Sequence, residues 1–311
     1  MNRDRRKFLK LLGFGTVALG MEPGSIFASI DDIKINRPDS YGVLCDVTRC
    51  VGCRSCEEAC NTVNRLPAPD KPFDDYAVFE EKRRPTSKAF TVVNQYQTSK
   101  GTLFRKIQCN HCLEPACATA CLVHAYQKMP EGSVIWDEKL CIGCRYCMHA
   151  CPFYAPAFEY ESPVPRIRKC TLCYDRIHTG QLPGCVEACP VEALIFGKRS
   201  DLIRIARGRI SKSPERYLDH IYGELEAGGT SWMYLSSVPF HEIGLNTSVG
   251  TYPMVEYTRG FLSSVPLVLV IWPALLSSFY AFTKRNSEIK KHNNGEHKEE
   301  VKNPVHAKGV E

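Results

Sequence analysis

The chain has 311 residues, 44% of them hydrophobic and 24% charged, and carries 17 cysteines. That composition excludes wholesale disorder and a polytopic membrane protein, and the cysteine count points to thiolate chemistry rather than apolar filler. The net charge of +6 sits largely at the ends, with +3 on residues 1–28 and +2 on residues 260–311, so the 231 residues between carry only +1 and hold no Lys/Arg-rich run; nucleic-acid binding is not expected.

The N-terminal segment has a basic head of Arg3, Arg5, Arg6, Lys7 and Lys10 and then a short, weakly apolar stretch. This is a signal-peptide layout, and Arg5-Arg6-Lys7-Phe8-Leu9-Lys10 resembles the twin-arginine export signal, which implies export after folding in the cytoplasm. Residues 1–28 are assigned to this segment, and residues 24–29 contain no clean Ala-x-Ala cleavage site.

Sixteen of the cysteines fall into four groups. The first is Cys50-x2-Cys53-x2-Cys56-x3-Cys60, and the third repeats its spacing as Cys141-x2-Cys144-x2-Cys147-x3-Cys151, with Pro152 behind it. The second is Cys109-x2-Cys112-x4-Cys117-x3-Cys121, and the fourth is Cys170-x2-Cys173-x11-Cys185-x3-Cys189 followed by Pro190. The run C-x2-C-x2-C-x3-C-P is a four-iron cluster signature in which three thiolates hold one cluster and the fourth reaches to its neighbour. A tight loop wraps three corners of a cubane while the following helix carries the last sulfur away. Paired C-x2-C knuckles also suit tetrahedral zinc, but a third cysteine two residues on and the Cys-Pro endings fit zinc poorly. A disulfide framework, which export permits, is disfavoured because folding in the cytoplasm lets clusters occupy the thiols first.

An internal repeat accompanies the cysteines. Val43-Leu44-Cys45-Asp46 precedes Cys50 and Val134-Ile135-Trp136-Asp137 precedes Cys141, each Asp four residues ahead of its first cysteine; each predicts a short strand entering a cluster loop. Residues 103–107 and 193–196 predict further strands. In this register Cys45 matches Trp136, so it is expected as a small buried residue rather than a ligand. His111, His124 and His149 lie near the runs, where histidines can tune potentials through hydrogen bonds, but surface or packing roles are expected; Tyr146, Tyr154 and Tyr174 are expected to pack around the cluster loops. Residues 61–108 form a mixed-charge, proline-containing insertion that suits either a docking element or a surface excursion over a cluster. Residues 201–258 begin with a predicted helix containing Leu202, Ile203, Ile205 and Ile210, then a strand over 232–236, and are expected to pack on the cluster domain.

Residues 261–282 are 22 residues without a charge, about 33 Å as a helix, enough to cross a bilayer core. Pro266 and Pro273 are better tolerated in a membrane helix than in a soluble one, and Tyr257 and Tyr280 fall near the two interfaces. Lys284, Arg285, Lys290 and Lys291 follow the run, whereas Arg259 alone is basic just before it, so the C-terminus is expected to face the cytoplasm. Export of the body and a positive-inside tail give the same topology independently. Residues 283–311 are polar and aperiodic and predict a disordered cytoplasmic tail, in which His292, His297 and His306 are solvated.

Over about residues 42–200 these motifs resemble the four-cluster, ferredoxin-type electron-transfer subunits of molybdopterin oxidoreductases, formate-dependent nitrite reductase, dimethyl sulfoxide reductase and membrane-bound hydrogenases. The resemblance is strongest to the iron–sulfur subunit of hydrogenase-2-type uptake nickel–iron hydrogenases. It extends through Cys141-Ile142-Gly143-Cys144-Arg145-Tyr146-Cys147-Met148, Leu182-Pro183-Gly184-Cys185-Val186-Glu187, Ile195-Phe196-Gly197, and His220-Ile221-Tyr222-Gly223-Glu224 with Gly228-Gly229-Thr230. It implies an α+β fold of two interlocked bacterial ferredoxin-like units, each for two [4Fe-4S] clusters, plus a single C-terminal transmembrane helix. It also implies the ligand sets Cys50, Cys53, Cys56 and Cys189; Cys60, Cys170, Cys173 and Cys185; Cys109, Cys112, Cys117 and Cys151; and Cys121, Cys141, Cys144 and Cys147. Some relatives replace one ligand, but cysteine stands at all sixteen positions here, so four [4Fe-4S] clusters are expected.

With every group closed by cysteine, no iron keeps an open position for substrate, and no nucleotide loop or Ser/His/Asp arrangement is present. The chain is therefore expected to be a non-catalytic relay; with the export and anchor signals the resemblance implies a place on the periplasmic face of the cytoplasmic membrane, between a nickel–iron hydrogenase and an integral quinone-reactive subunit. The equivalent subunit of a nitrite, polysulfide or molybdopterin oxidoreductase is the alternative of the same kind. A structural or assembly protein with fold-stabilising clusters or zinc is the alternative of another.

Overall fold

Alternation of side chains along a strand decides which residues can reach a cluster loop and which must pack elsewhere, and the computed structural model, which describes residues 39–300, shows this ahead of the first cysteine run. The signal segment expected over 1–28 and the end of the tail, with His306, lie outside the described residues. The chain divides into two units, one ending at Thr251 and one beginning at Tyr252.

In chain order the first unit contains β1 (Tyr41–Asp46), α1 (Ser55–Val63), β2 (Val92–Thr98), β3 (Gly101–Ile107), α2 (Ala116–Thr119), β4 (Tyr126–Lys128), β5 (Val134–Trp136) and α3 (Tyr146–Ala150). There follow β6 (Ala157–Phe158), β7 (Ile167–Arg168), α4 (Tyr174–His178), α5 (Gly184–Glu187), β8 (Leu194–Lys198), α6 (Arg199–Lys212) and β9 (Trp232–Leu235). β1 is the central strand of a three-stranded sheet, antiparallel to β8 with Cys45 opposite Leu194, and parallel to β9 with Val43 opposite Trp232. Val43, Cys45, Trp232 and Tyr234 point into one buried cluster, while Leu44, Met233 and Leu235 point into another. The second cluster is closed by α6, whose buried Leu202, Ala206 and Ile210 recur every four residues, the spacing of one helix face.

The runs are built as loops followed by short helices. Asp46 accepts from the Thr48 amide at 3.1 Å and Asp137 from the Lys139 amide at 2.9 Å, so the repeated aspartate starts the same turn into two cluster loops. The fully buried Asp46 carboxylate is further held by Arg209 Nη1 at 2.7 Å and the Tyr217 hydroxyl at 2.8 Å. α1 of the first run packs against α5 of the fourth, and α2 of the second against α3 of the third. Gly184 opens α5 where a Cβ would lie 2.8 Å from Val63 Cγ2, so only glycine lets the two helices approach this closely. Pro152 holds Cys151 in extended backbone and ends α3 at Ala150, as a residue before proline requires. The first run lacks that proline, and α1 runs on through Cys60 to Val63.

The strand expected over 103–107 forms as β3 but pairs with β2 in a hairpin of its own rather than joining the central sheet. The 61–108 insertion is thus a folded flap with a buried inner side, including Val78, Val92, Val93 and Tyr96. One carboxylate fastens it. Glu57, on α1 and 5% exposed, accepts from Arg54 Nη2 at 3.1 Å, Arg83 Nη2 at 2.6 Å and the Val93 amide at 2.6 Å. Arg54 also donates to the carbonyls of Pro72 at 2.7 Å and Asp75 at 2.9 Å.

The second unit contains α7 (Glu256–Glu300), which includes Pro266 and Pro273. Among the described residues it is the one helix long and apolar enough to cross a membrane. Its Ser263, Ser264 and Ser278 hydroxyls return to carbonyls one turn earlier at 2.7–2.8 Å, so these three hydroxyls are satisfied within the helix. Residues 283–300, expected as part of a disordered tail, continue this helix. The segment has no proline, its Lys, Arg and Glu are good helix formers, and the apolar helix ahead of it has already met the cost of nucleation.

Removing the Glu57 carboxylate leaves two guanidinium groups facing each other without an anion. Glu57→Ala is expected to destabilise the first unit by about 3–5 kcal/mol, read as a drop in thermal unfolding midpoint of the cluster-loaded chain; an unchanged midpoint would show that the flap is not held this way.

Candidate iron–sulfur sites

A cubane needs four thiols arranged around a void, with the backbone turned so that all four point inward. Each C-x2-C loop achieves the turn at the same place, the residue before its second cysteine. Gly52, His111, Gly143 and Leu172 all have positive φ, at 73°, 47°, 71° and 59°. Glycine adopts this conformation freely. At Gly52 a side chain would also meet the Phe104 ring at 2.5 Å, so the flap seals this loop. His111 and Leu172 adopt the conformation as non-glycine residues, at a cost of about 1–2 kcal/mol each.

The turn aims backbone amides at sulfur. His111 N–H donates to Cys109 Sγ at 3.5 Å and Leu172 N–H to Cys170 Sγ at 3.4 Å. The last cysteine of each group has its own donor. Ala125, Ala155 and Ala193 donate backbone N–H to Cys121, Cys151 and Cys189 at 3.3, 3.5 and 3.3 Å. In each case the preceding residue, His124, Tyr154 or Glu192, has positive φ. Cys60, inside a continuing helix, has no such turn, and the Asn64 side-chain amide takes over at 3.5 Å. Such N–H···S contacts favour the more negative state of a thiolate-bound cluster.

The structure brings together thiols from distant runs. Cys50, Cys53, Cys56 and Cys189 line one void, and the buried Cys45 lines it as well. Cys60, Cys170, Cys173 and Cys185 line a second. Cys109, Cys112, Cys117 and Cys151 line a third. Cys121 and Cys141 pack against buried Cys147 and Cys117 in one apolar cluster, and Cys144 is exposed. Neighbouring sets touch: Lys106 lines both the first void and the second, Cys170 of the second set packs against Cys109 and Cys151 of the third, and Cys117 of the third packs with the fourth.

Burial raises the thiol pKa values, to about 11 for Cys50 and Cys151 and to about 12 for Cys60 and Cys117. It pushes Cys56, Cys112 and Cys170 well above the ordinary thiol value. Iron must therefore displace protons from these groups, and its positive charge is what makes burying the thiolates acceptable. Among the described residues no three His, Cys, Asp or Glu are arranged to hold a single metal ion; the thiols surround voids instead. Of the buried donors that lack an acceptor among the described residues, three lie by the cysteine sets: Trp232 Nε1, on a residue that lines the second void, Trp136 Nε1, packed with the fourth set, and His111 Nε2, between Cys109 and Cys112 in the chain. Cluster sulfides are acceptors of the kind these donors lack, so the residues present fit iron–sulfur clusters.

The structure departs from the expectations for several neighbours of the runs. His111 is wholly buried, accepts from the Val134 amide at 2.9 Å through Nδ1, and has its pKa pushed well below the usual histidine range, first by burial and then by Lys169 and Lys128. Tyr146 and Tyr154, expected as packing, are exposed; where the cysteines turn inward, the residues between them turn out. Tyr154 instead takes the Arg84 guanidinium over its ring at 5.4 Å. Tyr174 stacks on His178. Lys106 and Lys169, both buried and both lining voids, carry no sequence signal, because a lysine is ordinarily an exposed residue.

Comparison with known proteins agrees with the site. The 4Fe-4S dicluster domain family matches residues 101–199. A protein of Nitratidesulfovibrio vulgaris (strain Hildenborough) is 56% identical over 290 residues, covering 92% of this chain and 78% of the relative. The hydrogenase-2 operon protein HybA of Escherichia coli O157:H7 is 32% identical over 330 aligned positions, covering 94% of this chain and 98% of that protein. The iron–sulfur subunit of the nitrate-inducible formate dehydrogenase of Escherichia coli K12 is 35% identical over 199 residues, covering 62% and 66%. Sixteen cysteines in four runs, the dicluster match and similarity to HybA along almost the whole chain together show that this protein belongs to the family of ferredoxin-type, [4Fe-4S] iron–sulfur electron-transfer subunits that includes HybA.

Proposed function

We propose that the chain is a membrane-anchored periplasmic relay that carries electrons through four [4Fe-4S] clusters between a nickel–iron hydrogenase and an integral quinone-reactive subunit. The observation that carries this is the arrangement of the thiols as a series of four adjoining sets, each drawing cysteines from separated parts of the chain. The sets are those expected from the resemblance, in two interlocked ferredoxin-like units, with Cys45 as a buried neighbour rather than a ligand. Bound in these voids, the clusters supply one-electron transfer and no substrate chemistry. The protein's part is to close each set with cysteine, to exclude water, and to aim amide donors at the sulfurs.

The hydrogenase partner is supported by the extent of the HybA similarity, which covers residues well beyond the cysteine runs. The formate dehydrogenase subunit favours a second reading, the equivalent relay of another oxidoreductase, but it covers 62% of the chain. The apolar stretch of α7, with basic residues after it, supports a single anchor with a cytoplasmic C-terminus, and the twin-arginine start supports export of the body.

Three outcomes are expected. Anaerobically isolated complex should contain about sixteen irons and as many acid-labile sulfides per chain, with cubane EPR signals that appear under hydrogen. Full iron with no response to hydrogen would move the partner to another oxidoreductase, and zinc in place of iron would sink the relay. Ending the chain before Tyr257 should release the protein from carbonate-washed membranes into the soluble fraction; retention in the membrane would remove the anchor from α7. Cys189→Ser should perturb the EPR signal of one cluster and leave three, whereas disturbance of the cluster assigned to Cys60, Cys170, Cys173 and Cys185 alone would show that the sets are wrongly drawn.

A further inference from the structure

An ammonium group taken out of water without a counter-ion is costly, and folds bury one only where negative charge is supplied. Lys106, on β3, is 2% exposed. Its Nζ meets the neutral Gln108 Oε1 at 3.1 Å and lies 4.6 Å from the centroid of the Trp232 ring. Gln108 is itself fixed by donating from Nε2 to the Tyr234 hydroxyl at 2.7 Å, which leaves its carbonyl for the lysine. Among the described residues no carboxylate pairs with Lys106. It is the one residue that lines both the void of Cys50, Cys53, Cys56 and Cys189 and that of Cys60, Cys170, Cys173 and Cys185. Arg54 also lines the first of these, but its guanidinium is taken up by Glu57 and by the Pro72 and Asp75 carbonyls.

Given the cluster sets proposed above, we propose that Lys106 is the counter-charge shared by these two clusters, and that it raises the reduction potential of both while leaving the other two unaffected. An oxidised four-iron core with four thiolates carries about −2, so two such groups supply the negative charge that the buried ammonium lacks. Each takes up one electron and becomes more negative on reduction. A fixed positive charge beside both lowers the cost of that step in each, and because it is shared it shifts the pair together.

The test is an EPR-monitored redox titration of the intact complex carrying Lys106→Met, with iron and sulfide assayed on the same samples. Two of the four midpoint potentials should fall, each by at least tenfold in the reduction equilibrium, about 59 mV for one electron, and two should stay. Lys106→Arg should restore them in part. Full iron with all four potentials unchanged, or all four lowered alike, would overturn the role of Lys106 while leaving the relay intact. A wild-type complex with iron well below sixteen per chain would instead overturn the cluster sets themselves. Should Lys106→Met fail to assemble, Lys106→Gln is titrated in its place. Loss of the same two clusters in both neutral variants, with retention in Lys106→Arg, supports a requirement for charge, and loss in all three overturns it.

Discussion

Closing one void with thiols from two distant parts of the chain is the constraint from which the rest of the first unit follows. Antiparallel pairing meets it economically. β1 ends at Asp46 just ahead of the first cysteine loop, and β8 begins at Leu194 just after Cys189; with Cys45 opposite Leu194, the loop leaving one strand lies beside the turn entering the other. The same logic recurs where β4 follows Cys121 and β5 precedes Cys141, with Tyr126 opposite Trp136, and where β6 follows Cys151 and β7 precedes Cys170. Strands of two or three residues are weak pairing units on their own. With clusters bound as proposed, the iron–thiolate bonds would add to the stability of these hairpins, as metal binding does in other small closed sites.

The insertion between the first and second runs changes the environment of what it covers. It is anchored by charge, through Glu57 with Arg54 and Arg83, and it carries charge inward, through Lys106. These are different uses of buried ions. The Glu57 network is satisfied within the protein and fixes the position of the flap. Among the described residues no carboxylate pairs with Lys106, which instead lines the two voids proposed to hold clusters. A flap that was merely a cover would bury apolar side chains here, at lower cost.

Much of this was legible in the sequence where spacing alone fixes geometry. The strand ahead of each repeated Asp, the grouping of sixteen cysteines into four runs, and the helix containing Leu202, Ile203, Ile205 and Ile210 all follow from local rules. What was not legible depended on partners far away in the chain. His111 and Leu172 hold the same strained turn as Gly52 and Gly143, but nothing local marks a histidine or a leucine as left-handed. β3 reads as a strand whichever neighbour it pairs with, and its pairing with β2 is settled by the tight connection at Thr98 and Gly101. Tyr146 and Tyr154 read as packing around the cluster loops and turn outward because the cysteines beside them turn in. The continuation of α7 past residue 282 depended on the helix already formed ahead of it, which a reading of the polar segment by itself misses.

The first run is also where the repeat is broken, and the break has an electronic consequence. Cys121, Cys151 and Cys189 each receive a backbone amide from an alanine four residues on, at the end of a turn that fixes its direction. Cys60 lies on a helix that runs on to Val63, and its donor at the same offset is the Asn64 side chain. A peptide N–H in a closed turn has almost no freedom to move, whereas a carboxamide can rotate about its side-chain torsions. Asn64 is tied by a second contact to the Cys60 carbonyl at 2.8 Å, so it is held, but by side-chain rather than backbone geometry. Asn64 lines the same void as Lys106. The second set thus combines a donor that sequence change can remove without disturbing the backbone with a buried cation that the flap supplies.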